Sequence, residues 1–196
     1  NDSVEPRQIY DMGGFPKELY ELKYQPPGSP ELAQKVRQLL KDQVVVDNTW
    51  GIDHGTWSIL CRMYPGADIP VVQLSLDRKA SREEHYRLGR LISPLRDEGV
   101  LIFASGNVVH NLSLIDWGLE GGYPWAQKFD AAVRDSVLER RFEEVFNPVV
   151  PSAPLPDEHF LPLLYAIGAS RAEDEIRVFN EGCLMGSLSM TSYLIE

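Results

Sequence analysis

The spacing of hydrophobic and polar residues along the chain predicts alternating strands and helices. Short apolar runs of mostly branched residues are typical of strands and occur at 44–46, 69–76 and 100–104. Apolar residues spaced three and four apart predict amphipathic helices at about 30–40, 81–95 and 125–145. A last alternating run, 188–195, suits an edge or antiparallel strand. We therefore expect an α/β fold with a mixed central sheet flanked by helices, in a single domain that spans residues 1–196.

The apolar run 100–104 is followed by a histidine in a polar loop. Its branched and aromatic residues suit a strand that is buried on both faces. Ser105, Gly106 and Asn107 end the run, and His110 follows at the edge where open α/β sheets place their ligands. This placement favours an acid/base or a metal ligand, although a hydrogen-bonded loop histidine explains the pattern equally well.

The other three histidines occupy different local settings. His54 lies in a loop that begins a helix, where it is either functional or part of the cap formed by Asp53 or Thr56. His159 comes just before a helix that contains Pro162, where the helix dipole favours the neutral ring that a metal requires; a capping role is also open. His85 lies in the hydrophilic start of a helix and is predicted to be a surface residue.

Composition excludes several classes of partner. A chain of 196 residues with 43% hydrophobic residues is long enough to bury a core. Its net charge of −10 argues against binding to nucleic acid or to an anionic membrane surface. No apolar run approaches the roughly 20 residues that span a bilayer. Cys61 and Cys183 suit a reduced, cytoplasmic protein, with a disulfide between them as the alternative.

Local motifs of several common chemistries are missing from the sequence. No two histidines have the HxH or HxxxH spacing of a local metal site, and no nucleophile elbow, phosphate-binding loop or dinucleotide fingerprint occurs. The segment 147–156 carries four prolines and is predicted to be a loop. If the histidines cooperate, the fold must bring them together.

Several longer stretches of the chain resemble one family in collinear order. They are Gly-Ile-Asp-His-Gly-Thr-Trp at 51–57, Ala-Asp-Ile-Pro-Val-Val-Gln-Leu-Ser at 67–75, Ala-Ser-Gly-Asn-Val-Val-His-Asn-Leu at 104–112 and Glu-His-Phe-Leu-Pro-Leu-Leu at 158–164. The segments 11–20 and 185–190 fit the same pattern. Together they resemble the class III extradiol ring-cleavage dioxygenases of the LigB-type superfamily, within which the 4,5-DOPA extradiol dioxygenase-like branch is the most similar.

The resemblance implies a non-haem Fe(II) enzyme, with Zn(II) as an alternative metal, that uses O2 to open a catechol such as DOPA beside its hydroxyl groups. It implies that His159 is a metal ligand. His110 corresponds to the acid/base histidine, which is close enough to the metal in some members to act as a ligand. His54 corresponds to a second pocket histidine that contacts substrate or oxygen. Trp117, Tyr123 and Trp125 are candidates to line the pocket, although aromatic residues at such positions are more often part of the core.

The chain departs from the family pattern in its metal ligands. The family has two further histidines, in a His-Gly-Ser-Pro loop and an Ala-His-Trp motif, and neither motif occurs here. We therefore expect that the sequence starts after both motifs, that its metal site is incomplete and that it binds Fe(II) or Zn(II) weakly. The acidic residues that could replace the missing ligands are Asp53, Asp157 and Glu158. A non-catalytic binding or scaffold protein on the same fold is the main alternative, and a zinc hydrolase that uses His54 or His110 as base is the third.

Overall fold

The computed structural model describes residues 1–148 and 157–196 and divides into two compact units, Asn1–Ser75 and Leu76–Glu196. Helices and small sheets both occur, so the predicted α/β class is confirmed. The predicted proline-rich loop lies mostly outside the described residues. Within the described residues, no helix combines the length and the apolar character that crossing a bilayer requires.

The first unit contains three α-helices: α1 (Lys17–Glu21), α2 (Pro30–Leu40) and α3 (His54–Met63). Helix α2 begins as its sequence predicts, because the Ser29 hydroxyl accepts a hydrogen bond from the Leu32 N–H at 3.2 Å. A 3₁₀ turn, Lys41–Gln43, follows it. Leu40, Ile52 and Trp57 form the centre of this unit, with side chains that are almost completely buried.

Among its described residues, the second unit contains four α-helices: α4 (Arg82–Ile92), α5 (Pro124–Leu138), α6 (Phe142–Phe146) and α7 (Leu161–Gly168). Short 3₁₀ segments occur at Ser93–Glu98, Leu112–Leu114 and Asp157–His159. The core is an apolar cluster to which α5, α6, α7 and the 108–109 segment all contribute. Its buried members include Val108, Val109, Phe129, Val133, Val137, Val145, Phe160, Leu164 and Ile167.

The prediction of one long helix over 125–145 is wrong, because the helix is interrupted between α5 and α6. Arg140 adopts a left-handed φ of 56°, and its N–H donates to the Val137 carbonyl oxygen at 3.1 Å. The Arg141 N–H donates to the Ser136 carbonyl oxygen at 2.8 Å. These two bonds satisfy the last carbonyl groups of α5 as a Schellman motif, so the helix ends although its apolar period continues.

The strands form two small antiparallel sheets in the second unit. β1 (Ile176–Phe179) pairs with β4 (Ser192–Ile195), and β2 (Cys183–Leu184) pairs with β3 (Leu188–Ser189). The predicted strand 188–195 is therefore two strands that belong to different sheets. Single parallel bridges join Gln8 to Ile52 and Gly122 to Gly186, and a single antiparallel bridge joins His110 to Leu188.

The three segments expected to form central strands, 44–46, 69–76 and 100–104, are not paired into strands. Val45 is 85% exposed and Leu101 is 59% exposed, so these apolar runs are not buried on both faces. An apolar run becomes a buried strand only where neighbouring strands bind its N–H and C=O groups on each side. Hydrophobic pattern alone does not supply those neighbours, which is why these three predictions are wrong.

Candidate active site

His110 and His159 lie together in the second unit, as one stacked pair of imidazole rings. Their ring centroids are 3.6 Å apart, and the ring planes differ by only 16°. The two residues are far apart in sequence and belong to separate motifs, so tertiary structure alone brings them together. Of the histidines predicted for the site, His110 and His159 are the two whose rings the structure brings into contact.

The backbone around Gly106 and Asn107 connects the two histidines. The Asn107 N–H donates to the His159 carbonyl oxygen at 2.8 Å. A Cβ atom placed on Gly106 would lie 2.2 Å from that same oxygen, so only glycine allows this close approach. The polar break after the apolar run therefore has a structural role, because it fixes the segment that carries His110 against the segment that carries His159.

A single antiparallel bridge fixes the backbone on both sides of His110. The Ser189 N–H donates to the Val109 carbonyl oxygen at 2.9 Å, and the Asn111 N–H donates to the Ser187 carbonyl oxygen at 3.1 Å. The Ser187 hydroxyl adds a bond to the Asn111 carbonyl oxygen at 2.8 Å. Val109 is fully buried in the core. The backbone at His110 is therefore held in two ways: Val109 is buried in the core, and hydrogen bonds join both sides of His110 to the 187–189 segment.

His159 ends a 3₁₀ turn just before α7, as its sequence predicts. Phe160 beside it is 2% exposed, and Pro162 lies in the first turn of the helix. Helix α7 is strongly apolar and buries Leu161, Leu164 and Ile167. The core therefore anchors the element that carries His159, which limits how far its ring can move.

His54, in the first unit, binds Asp11, a residue that the sequence did not indicate as part of the site. The Asp11 carboxylate accepts hydrogen bonds from the His54 N–H at 3.0 Å and from its ring Nδ1 at 2.9 Å. Burial acts to raise the pKa of Asp11, but the bonds from His54 outweigh it and leave the pKa below its usual value. A carboxylate on Nδ1 fixes the ring orientation and leaves Nε2 available as the reactive nitrogen. A carboxylate that binds a candidate histidine is a signal that only spatial proximity reveals.

His85 is not a surface residue, and that prediction is wrong. Its side chain is fully buried, with Nδ1 3.1 Å from the Tyr165 hydroxyl and Nε2 3.1 Å from the Asp77 carbonyl oxygen. A carbonyl can only accept, so Nε2 donates to Asp77; in the neutral ring that burial favours, Nδ1 accepts from the Tyr165 hydroxyl. Burial lowers the pKa of His85 from its ordinary value of 6.5. Both ring nitrogens are engaged between α4 and α7, so this histidine is structural.

Two of the three acidic residues considered as substitute ligands have other partners. Glu158 forms an ion pair with Arg78, with an N···O distance of 3.2 Å. The Asp53 carboxylate caps α3 and also accepts a hydrogen bond from Gln73 Nε2 at 2.6 Å. The side chain of Asp157 lies outside what the structure describes. Asp53 and Glu158 therefore act in local hydrogen bonding and ion pairing.

The donor set for a metal ion is chemically suitable but incomplete. Imidazole is a good ligand for Fe(II) and Zn(II), and catalytic sites for either metal use three protein ligands. Among residues 1–148 and 157–196, no group of three or more His, Cys, Asp or Glu side chains could hold a metal ion. In addition, two nearly parallel rings do not direct their in-plane lone pairs to one point. The described residues thus do not fit a complete metal site.

The aromatic candidates differ in exposure. Trp117 is 79% exposed, whereas Tyr123 and Trp125 stack on each other at 6.4 Å and pack partly against the core. The pair at 123 and 125 therefore contributes to the packing of α5. Trp117 is the one of the three whose ring remains open to a ligand.

Comparison with known proteins gives one consistent result. The family model described as the catalytic LigB subunit of aromatic ring-opening dioxygenase matches residues 3–184. The chain is 45% identical to the 4,5-DOPA dioxygenase extradiol of Escherichia coli K12, over 97% of this chain and 74% of that protein. It is 39% identical to the protein of the same name from Beta vulgaris, over 94% of this chain and 72% of that protein.

A solved structure agrees with these matches. The crystal structure of an uncharacterized protein from Escherichia coli K12 superposes with a TM-score of 0.80 at 40% identity, covering 95% of this chain and 79% of that one. These matches place the chain in the class of extradiol ring-cleavage dioxygenases, which are oxidoreductases. The chain belongs to the LigB family of aromatic ring-opening dioxygenases.

Proposed function

We propose that this protein cleaves the ring of a catechol, such as DOPA, beside its hydroxyl groups with O2. The single observation that carries the proposal is the stacked pair of His110 and His159, in a chain that belongs to a ring-opening dioxygenase family. Relatives named 4,5-DOPA dioxygenase extradiol support a catechol as the class of substrate.

His110 is the acid/base residue of the proposed reaction. A catechol must lose protons from its hydroxyl groups, and protons must return to the ring-opened product. Imidazole titrates near neutral pH, so it can take up and release a proton at physiological pH.

His159 is the metal-binding residue of the proposal, and His110 would join it as a neighbouring ligand if its ring turned out of the stack. Fe(II) is the proposed metal and Zn(II) the alternative, because neutral imidazole suits both. His54, oriented by Asp11, is the residue proposed to contact substrate or oxygen through Nε2. The small-molecule catechol and O2 are the proposed partners of the reaction.

The proposal is tested by single substitutions assayed aerobically with a catechol and added Fe(II). His110→Ala should lose most turnover, by about 100-fold or more, because general acid/base catalysis contributes about that much. It should retain much of the metal that the unmodified protein binds. His159→Ala should lose the metal itself, as measured by competition with a chromogenic chelator, and turnover with it.

A matched control is His85→Gln, which removes a histidine that has no part in the proposed chemistry. This variant should keep turnover per folded molecule, with folding checked by circular dichroism. Oxygen uptake together with a ring-opened, coloured product supports the dioxygenase. Metal-dependent hydrolysis without oxygen uptake would instead indicate the hydrolase, and the absence of both reactions would indicate the scaffold protein. If His110→Ala lost the metal and His159→Ala retained it, the two assigned roles would be reversed.

A further inference from the structure

Asp130, on α5, is a buried carboxylate that the proposed reaction does not use. Its side chain is only 5% exposed, and it accepts hydrogen bonds from the Ser189 hydroxyl at 2.5 Å and the Thr191 hydroxyl at 2.7 Å. Burial raises the pKa of Asp130, and the two hydroxyl bonds oppose this effect. Removing a carboxylate from water costs free energy, and hydrogen bonds from its partners offset that cost. The partners of Asp130 therefore show which segment it holds in place. Both partners belong to the chain that follows Ser187.

Ser189 links Asp130 to the histidine pair through hydrogen bonds of its side chain and its backbone. Its N–H donates to the Val109 carbonyl oxygen at 2.9 Å, directly before His110. Its own carbonyl oxygen accepts a hydrogen bond from Asn107 Nδ2 at 2.7 Å. Asn107 in turn donates its backbone N–H to the His159 carbonyl oxygen. One buried serine is thus connected to the backbone of both histidines, through one and two hydrogen bonds respectively.

We propose that Asp130 is a positioning residue for the His110–His159 pair, acting through Ser189. By fixing the Ser189 side chain, the carboxylate holds the peptide groups that bind the Val109 carbonyl oxygen and the Asn107 side-chain amide, and so keeps the two rings in position. This role rests on the proposed function of His110, because a change in ring geometry matters for turnover only if the pair acts on substrate.

The test substitutes Ser189→Ala in the full chain, which removes the hydroxyl bond to Asp130 and keeps the backbone bonds. The readout is the ring-nitrogen signals of protein labelled with ¹⁵N-histidine, recorded without metal. The signals of His110 and His159 should shift, while those of His54 and His85 stay in place as internal references. In the turnover assay, kcat should fall about 10-fold with KM changed less than about twofold, because a small misplacement affects reacting geometry more than binding.

Ser136→Ala is the matched control, because it removes a similar buried bond on the same helix. The Ser136 hydroxyl bonds to Glu144 Oε2 at 3.0 Å, and Ser136 is 5% exposed. This variant should shift neither the His110 nor the His159 signals. Asp130→Asn preserves the shape of the side chain, but its single amide oxygen can accept a hydrogen bond from only one of the two hydroxyls. This variant should shift the same two signals. It also replaces Ser189→Ala as the test if that variant does not fold.

The outcomes separate this inference from the proposed function. Unchanged His110 and His159 signals in both Ser189→Ala and Asp130→Asn would overturn the positioning role. Equal shifts in Ser189→Ala and Ser136→Ala would also overturn it, because they would reflect a general loss of packing. If the unmodified protein cleaves no catechol, the proposed function fails, but the ring signals still decide whether Asp130 positions the pair.

Discussion

At the scale of single residues, the surroundings of each histidine decide its role more than its sequence neighbours do. His85 is flanked by Glu84 and Tyr86 in a hydrophilic stretch, yet its ring is fully buried against Tyr165. His159 follows two acidic residues, yet its ring stacks on His110. The local pattern identified where these residues lie along helices, but it did not identify what their rings contact.

The buried His85 predicts a loss of stability in mild acid. Burial lowers its pKa in the folded protein, whereas the unfolded chain takes up a proton near the ordinary value of 6.5. The unfolded state therefore binds more protons as the pH falls below about 6.5, and the free energy of unfolding decreases until the pH passes the lower, folded pKa. Above about 6.5, this contribution to stability is fully present.

The measurement is urea unfolding between pH 7.5 and 5, for the unmodified protein and for His85→Gln. The glutamine does not titrate, so its free energy of unfolding should fall less over this range than that of the unmodified protein. The comparison cancels the contributions of the other three histidines, which both proteins share. The same pH dependence in both proteins would show that His85 is not the group responsible.

At the scale of elements, α4 and α7 pack closely because glycines remove side chains from their contact. A Cβ on Gly89 would lie 2.5 Å from the Tyr165 carbonyl oxygen, and one on Gly168 would lie 2.3 Å from the Tyr86 carbonyl oxygen. Backbone atoms are the obstacle in both cases, so a rotamer change cannot relieve the overlap. The sequence showed these glycines, but not that each faces the backbone of the other helix.

Gly89→Ala should therefore destabilise the protein, by about 1–3 kcal/mol, because the two helices must move apart. Helix propensity alone predicts the opposite, since alanine is favoured over glycine in a helix interior by about 1 kcal/mol. The control is Gly13→Ala, where the new Cβ would meet no atom within 4 Å. Thermal unfolding of both variants decides the matter, and a Gly89→Ala protein at least as stable as the original would contradict the close packing.

At the scale of the whole molecule, the main question is how many metal ligands the chain supplies. The described residues bring two imidazoles together, and no group of three suitable ligands occurs among them. We predict that this chain binds Zn(II) or Fe(II) with a dissociation constant weaker than about 1 μM, because two ligands hold a metal less tightly than three.

Competition with a chromogenic chelator measures this affinity directly, with His159→Ala as the comparison. The variant should bind still more weakly, because it removes one of the two rings. Sub-micromolar binding by the unmodified chain would contradict the prediction and would indicate a third ligand beyond the residues described. Binding unaffected by His159→Ala would place the metal elsewhere in the protein.

Sequence by itself determined the fold class, the helix starts and the family. Caps and periodicity are local, so Ser29 and Asp53 begin their helices as predicted. Collinear motifs around His54, His110 and His159 likewise identified the ring-opening dioxygenase family before any contact was known. These features depend on neighbouring residues in the chain, and the sequence displays those directly.

Tertiary structure alone decided which of these residues meet. The stacking of His110 on His159, the bond from Asp11 to His54 and the burial of His85 all join positions that are distant in sequence. Tertiary structure also decided that the apolar run 100–104 has no strand pairing, and that hydrogen bonds through Ser189 hold the backbone at His110. Such contacts depend on how distant segments of the chain fold against each other, and neither periodicity nor composition contains that information.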